Sequence, residues 1–289
     1  MIGRRWLAAP LLALMGTLPI PDGARAATMA SHCIALSNAV PGVRYAGLLG
    51  PDLASDEVRI HFTGHATFVI ETAGGNTIAT DFTGFVGPGV IPDVVTMNRA
   101  HSSHYTDSPD PRIPHVLRGW GTDGPGSVAE HRLELEDALI RNVTTDIRSF
   151  GGGRLDDQNS IFIFEIAGLC IGHLGHIHHE PTEQQYALMG RLDVVLAPVD
   201  GGLTLDLATM IRVMNRVRAQ VVIPMHWFGT GTLEAFLAGM SDTFRIVRPE
   251  GSGITLSLRD LPSTPEVVVL MPSYIRADPA DLPTTPSDP

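Results

Sequence analysis

The chain has 289 residues, long enough for one large domain or two small ones, with 31 acidic against 20 basic residues and a formal charge of −11. Every basic residue is Arg, which excludes a lysine nucleophile or Schiff base, and the acidic balance speaks against a nucleic-acid partner, whose phosphates demand a positive stripe. One α/β domain acting on a small molecule is the expectation these quantities leave.

Residues 1–26 open with Arg4-Arg5, continue through the apolar run from Leu7 to Ile20 and close on Ala24-Arg25-Ala26, the pattern of a cleavable secretory signal. An uncleaved anchor is the competing reading, and Arg4-Arg5 leaves twin-arginine export open beside the ordinary route. Cleavage removes three Arg and one Asp, so the mature charge is −13. A periplasmic or secreted protein with no integral membrane segment after signal removal is expected. In such an oxidising compartment one disulfide is open to Cys33 and Cys170; a free buried thiol at Cys170, inside the apolar stretch Gly168 to Gly172, is equally open.

Residues 27–56, rich in Gly, Ala and Pro, read as an irregular lead-in, and order is expected over 57–271. Alternation predicts strands at Val58 to Phe62, Ala66 to Thr72 and Thr77 to Thr80, with Gly64 and Gly74-Gly-Asn76 as breaks. The apolar run Ile91 to Met97 gives way at His101 to a loop and helix start. Further strands are predicted at His115 to Arg118, Arg132 to Glu136, Ala138 to Val143, Ser160 to Ile166 and Leu169 to Ile171. The period then changes. Helices at Glu183 to Met189, Leu205 to Arg218 and Leu233 to Met240 alternate with strands at Asp193 to Ala197 and Val221 to Ile223, and strands at Thr243 to Val247 and Ile254 to Leu258 finish the domain. Two mixed sheets packed face to face with helices outside, a four-layer α/β arrangement, fit this order. The Pro- and Asp-rich residues 272–289 read as a disordered tail.

The twelve histidines are unevenly placed. Seven of them lie in four turns at the ends of predicted strands: His65, His101-Ser-Ser-His104, His176 to His179, and His226 after "VVIPM". A neutral imidazole offers one lone pair to a divalent ion while its other N–H bonds a carboxylate or carbonyl that fixes the ring. Strand ends along one sheet edge can bring such rings together from far apart in sequence. Any single one of these residues is more simply a hydrogen-bonded structural histidine; the set is not so simply dismissed.

In order and spacing, "HFTGHATFVIETAGGNTIATDFTGF", "PDVVTMNRAHSSHYTD", "FEIAGLCIGHLGHIHHEPT", "LDVVLAPVDGGLTLD" and "VVIPMHW" resemble the metallo-β-lactamase superfamily, in its branch of ascorbate-6-phosphate lactonase-like hydrolases, over residues 57 to about 230. The resemblance implies an αβ/βα sandwich with a metal centre at one edge, where a metal-bound hydroxide attacks an ester, lactone, amide or phosphodiester bond, and zinc as the ion. The H-x-H-x-D-H signature of that family falls on Arg99, His101, Ser103 and His104, so its first His and its Asp are replaced. A middle His falls near Thr145-Asp146, the bridging Asp on His176, a retained His on His179 and the last His on His226.

The usual two-metal set is therefore incomplete. The resemblance leaves His101, His104, His176 and His226 to hold one ion, with His179 and Asp146 as substitutes or support. His65 and Asp81 are expected behind the ligands, and His173 and His178 as bystanders. Arg99 cannot ligate; its cation replaces a metal electrostatically, pairing with Asp146 or clamping an anionic substrate, unless it simply turns outward. Asp107 is the candidate base in place of the lost signature Asp, although a turn-capping role explains it as well. Gly151-Gly-Gly153 suggests a mobile loop, while Trp120 and Trp227 fit pocket or core equally. A non-catalytic metal- or ligand-binding protein on the same scaffold is the alternative function, and a metal-free, pH-responsive histidine cluster the third.

Overall fold

The computed structural model describes residues 29–34, 52–124 and 126–276. The expected signal, most of the expected lead-in and residues 277–289 lie outside the described residues. Six strands form the first sheet: β1 (Glu57–Gly64), β2 (Thr67–Thr72), β3 (Thr77–Ala79), β4 (Val94–Met97), β5 (His115–Arg118) and β13 (Gly253–Ser257), in the order β13-β1-β2-β3-β4-β5. The second sheet has eight, ordered β12-β14-β11-β10-β9-β8-β7-β6: β6 (Arg132–Glu134), β7 (Ala138–Arg148), β8 (Arg154–Ile166), β9 (Leu169–His173), β10 (Val194–Pro198), β11 (Val221–Met225), β12 (Arg245–Val247) and β14 (Glu266–Val268). Three α-helices, α1 (Glu183–Met189), α2 (Leu207–Val217) and α3 (Thr230–Met240), and one 3-10 turn, Leu258–Asp260, complete the described elements.

Pattern explains placement. β1 alternates half-buried and buried residues, and its Val58, Ile60 and Phe62 enter the core between the sheets with Phe162, Phe164, Ile171, Leu196 and Ile223. β10 and β11 are buried throughout, as strands covered on both faces must be. Their outward residues Val195 and Val222 meet Met210, Met214, Phe236 and Met240 of α2 and α3. All three helices thus cover the eight-stranded sheet. The outer face of the other sheet is covered instead by chain without helix: Phe82, Val86, Ile113 and Ile275 close over Val69, Val95 and Met97. The two-sheet sandwich is as expected, with its helical layer on one side among the described residues.

Several boundaries differ from the sequence expectation. The helix expected after His104 is a series of turns. β7 and β8 run on into a hairpin whose tip holds Gly151-Gly-Gly153, closed by Ser149 N–H donating to Gly153 O at 2.8 Å. Residues 272–276, expected as the start of the tail, are held in place: Ser273 N–H donates to Phe62 O and Ile275 N–H to Val86 O, both at 3.0 Å, and Ile275 is buried.

Part of the lead-in is also anchored. Cys33 and Cys170 form a disulfide across a sequence separation of 137, which resolves the question the sequence left open. Ser31 Oγ and His32 N–H donate to the buried Glu165 carboxylate at 2.6 and 2.9 Å, and Arg141 closes the other side of that carboxylate at 2.8 Å. A bridge of this kind contributes about 2–4 kcal/mol. Among the described residues no helix is long and apolar enough to cross a membrane.

Candidate metal centre

Parallel strands deliver the site. β3, β4, β9, β10 and β11 end at Ala79, Met97, His173, Pro198 and Met225, and the residues that follow them, with the β1–β2 turn, supply the polar side chains of one edge of the sandwich. This is where α/β sheets bind ligands, because their carboxyl ends open onto loops. Three of these residues hold left-handed backbone: His65 at φ 52°, Asp81 at φ 42° and His226 at φ 59°. Such conformations persist in non-glycine residues only where surrounding bonds over-determine them. Here His226 N–H donates to His65 O at 2.7 Å, while Asp81 O accepts from Thr67 Oγ1 at 2.8 Å. Gly175 (φ +62°) lets the chain turn from His173 to His176, and a Cβ there would meet Asn98 Nδ2 at 2.4 Å.

His65, His104 and His226 place one ring nitrogen each within 4.8 Å of the others. His104 Nε2 lies 3.1 Å from His226 Nε2 and 2.9 Å from His176 Nδ1. The orientation of two rings is fixed from behind. His104 Nδ1 makes a 2.7 Å hydrogen bond with Asp81 Oδ2, and His226 Nδ1 stands 2.9 Å from Asp200 Oδ2, a close charge contact outside hydrogen-bond alignment. Each carboxylate calls for the proton on Nδ1, which assigns a bare lone pair to both Nε2 atoms. Two lone pairs 3.1 Å apart repel unless a cation lies between them, and nitrogens around a tetrahedral zinc are about 3.3 Å apart. His65 Nε2, buried and with no hydrogen-bond partner among the described residues, points to the same need. The donor set fits a divalent ion.

The electrostatics agree. Burial, reinforced by His226 and His104, pushes the His65 pKa down to about 4, and burial with His104, His178 and His226 holds His176 far below the usual histidine range. A cluster built to titrate near neutral pH would not hold His65 and His176 so far down. Asp81 and Asp200 are held below the usual carboxylate range although burial opposes it: His104 and Asn98 N–H act on Asp81, and His226 with Thr204 and Gly202 N–H on Asp200. Asp200 Oδ1 accepts from the backbone N–H of Gly202, Leu203 and Thr204 at 2.9, 2.6 and 2.9 Å. That turn locks it in place.

Other expected site residues lie elsewhere. His65, expected behind the ligands, stands among them. His101 is exposed, its ring centroid 5.8 Å from that of His104 and its Nδ1 turned to Ser103 Oγ at 2.9 Å, so it sits on the rim and outside the converging set. Asp146 is drawn off by Arg154 and by Asp157 N–H at 2.8 Å, and it is neither a ligand nor a partner of Arg99. Asp107 is exposed with Tyr105 Oη as its hydrogen-bond donor at 3.4 Å, outside the converging set. His179 is half-buried, outside the converging set, and its Nε2 has no partner among the described residues. Asp81 lies behind His104, where the resemblance put it. His173 ties the sheets together: its Nε2–H donates to Ala66 O at 2.8 Å and its Nδ1 accepts from Asn98 Nδ2 at 3.1 Å. Trp227 packs on Phe62 in the core, and Trp120 on Tyr105.

Asp200 was missed. Its only signal is position, in "APVDGG" directly after a buried strand. Phe228 is a second residue not foreseen, 66% exposed with its ring 5.4 Å from that of His65 and 5.3 Å from that of His226, an apolar wall at the mouth of the centre.

The chain belongs to the β-lactamase superfamily domain family, whose model matches residues 59–226. A UPF0173 protein of Pyrococcus abyssi is 22% identical over 198 residues, 62% of this chain and 89% of the relative. A UPF0173 metal-dependent hydrolase of Anaeromyxobacter dehalogenans is 25% identical over 245 residues, 69% of this chain and 87% of the relative. Among solved structures, a chain of Thermotoga maritima assigned as a Zn-dependent hydrolase of the metallo-β-lactamase superfamily superposes with a TM-score of 0.52 at 29% identity, covering 74% of this chain and 98% of its own. The superfamily is therefore the one the sequence resembled; the narrower lactonase-like branch is not carried by these relatives' names.

Proposed function

We propose that the protein is a metal-dependent hydrolase with a mononuclear centre held by His65, His104 and His226, with His176 beside them. The observation that carries this reading is the pair of carboxylate-backed imidazoles, His104 and His226, whose Nε2 lone pairs face each other at 3.1 Å. All-imidazole donors suit zinc among the divalent ions and leave the charge of the ion undiminished. When bound, the ion supplies Lewis acidity and lowers the pKa of water to about 7.

The side chains do the rest. Asp81 and Asp200 hold His104 and His226 in the ligating tautomer, and Phe228 shields one side of the centre from water. In hydrolysis of an ester, lactone, amide or phosphodiester, the water oxygen joins the acyl or phosphoryl centre and the leaving group departs with the proton that water gives up. The Cys33–Cys170 bridge, with the leader pattern of residues 1–26, supports an exported protein.

A second reading, metal or ligand binding without turnover, is favoured by one observation. Asp81 and Asp200, the carboxylates at the cluster, are both committed to imidazoles, so neither is free to act as base. Turnover separates the two. The metal-loaded mature chain is assayed on ester, lactone, amide and phosphodiester substrates; hydrolysis that stops on chelation and returns with added ion is expected. Tight metal binding with no turnover on any class would overturn the hydrolase reading in favour of the second.

A further inference from the structure

Arg99 follows β4 by two residues, at the position where the resemblance expects a histidine ligand. Its side chain does not turn outward. Nε and Nη1 are buried and have no hydrogen-bond partner among the described residues. The acids within the site are spoken for: Asp81 by His104, Asp200 by His226, and Asp146, the partner expected from sequence, by Arg154. A guanidinium stays charged at any working pH, and withdrawing its N–H groups from water without an acceptor is costly. Native structures seldom leave such groups unpaired, and a water, an ion or a ligand commonly completes those that stand without a protein partner.

The charge is close to the centre. Behind burial and larger contributions from neighbouring His104, His178, His226 and Arg148, it adds to what holds His101, His176 and His178 low. His178 adds a second unfilled donor. Arg148 N–H donates to His178 Nδ1 at 2.8 Å, which puts the ring proton on Nε2, and that atom is buried and also without a partner among the described residues. The His178 ring is 4.8 Å from that of His176. Arg99 and His178 thus each carry buried donors without a partner among the described residues.

We propose that Arg99 is the anion-recognition residue of this centre and that the substrate carries a carboxylate or phosphate group next to the bond attacked. The guanidinium offers the forked, bidentate geometry that both oxyanions accept, and His178 Nε2–H is placed to add a neutral donor. The proposal rests on the hydrolase reading for the word substrate, but not for the anion site itself. It assigns Arg99 the electrostatic work of a second cation in a chain whose signature lacks the residues to hold one.

Anion binding by the metal-loaded chain tests this, with inorganic phosphate and acetate titrated separately by calorimetry into wild type, Arg99→Gln and Arg99→Lys. Metal content and circular dichroism are checked for each. Saturable binding in wild type is expected, weakened at least about tenfold in Arg99→Gln and partly restored in Arg99→Lys, whose point charge lacks the fork. The exposed Arg112, paired with Asp110, provides a control in which Arg112→Gln leaves affinity unchanged. The tighter of the two anions identifies the substrate group. Should Arg99→Gln fail to fold, Arg99→Lys with a tighter salt dependence than wild type carries the comparison. Equal affinity in wild type and variants at equal metal content, or no binding of either anion, overturns the proposal. Arg99-dependent anion binding without turnover would defeat the hydrolase reading alone; turnover with Arg99-independent anion binding would defeat this proposal alone.

Discussion

Replacing His104 with Ala is expected to weaken metal binding by more than about 100-fold and to abolish any hydrolysis. His104 is the pivot of the centre, with Nε2 at 3.1 Å from His226 and 2.9 Å from His176. The change also strips the buried Asp81 carboxylate of its imidazole hydrogen bond, and leaving a buried charged acceptor unsatisfied costs about 1–3 kcal/mol or more. Stability and ligation must therefore be separated. His104→Gln restores a donor to Asp81 but offers no imidazole lone pair, and it should fold better than His104→Ala while binding metal no better. His101→Ala, at the exposed rim, should change metal affinity little. Competition with a chromogenic chelator measures all three variants; retention of wild-type affinity in His104→Ala would dismantle the ligand assignment.

Asp200→Asn tests the same centre through a tautomer. Asn can keep one oxygen for the N–H groups of Gly202, Leu203 and Thr204, so the turn after β10 survives. Its amide nitrogen then faces His226 Nδ1, donor against donor. The imidazole responds by moving its proton to Nε2, the atom that ligates. Metal affinity should fall about 10–100-fold, the usual effect of altering a group behind a ligand, with little change in unfolding temperature. Asp81→Asn should act alike through His104. Wild-type affinity in both variants would show that the carboxylates do not set the tautomers.

Elements with strong local pattern were legible in the sequence. Val58 to Phe62 alternates because β1 has one face between the sheets, and α2 and α3 announce themselves by a change of period. β14 was missed because Glu266–Val268 is only three residues long and is made a strand by parallel partners, β11 and β12, that lie far off in sequence. The extension of β8 through Arg154 to Gln158 was missed for a related reason: these residues are largely exposed and polar, and only their pairing with β7 makes them a strand. The site followed the same division. Sequence shows which histidines follow strands, but which of them meet depends on sheet order and on three left-handed residues that no periodicity reveals. His101 and His104 are three apart, yet the turn between them sends one to the rim and the other to the centre. Asp146 looked available until the β7–β8 hairpin brought Arg154 across to it.

The convergence of distant imidazoles on a single ion is tested most directly by diffraction from crystals of the purified mature chain on both sides of the zinc absorption edge, with elemental analysis of the same sample. One anomalous peak is expected per chain, in contact with Nε2 of both His104 and His226, together with about one equivalent of metal. Two peaks, or a lone peak away from those two nitrogens, would contradict the centre described above.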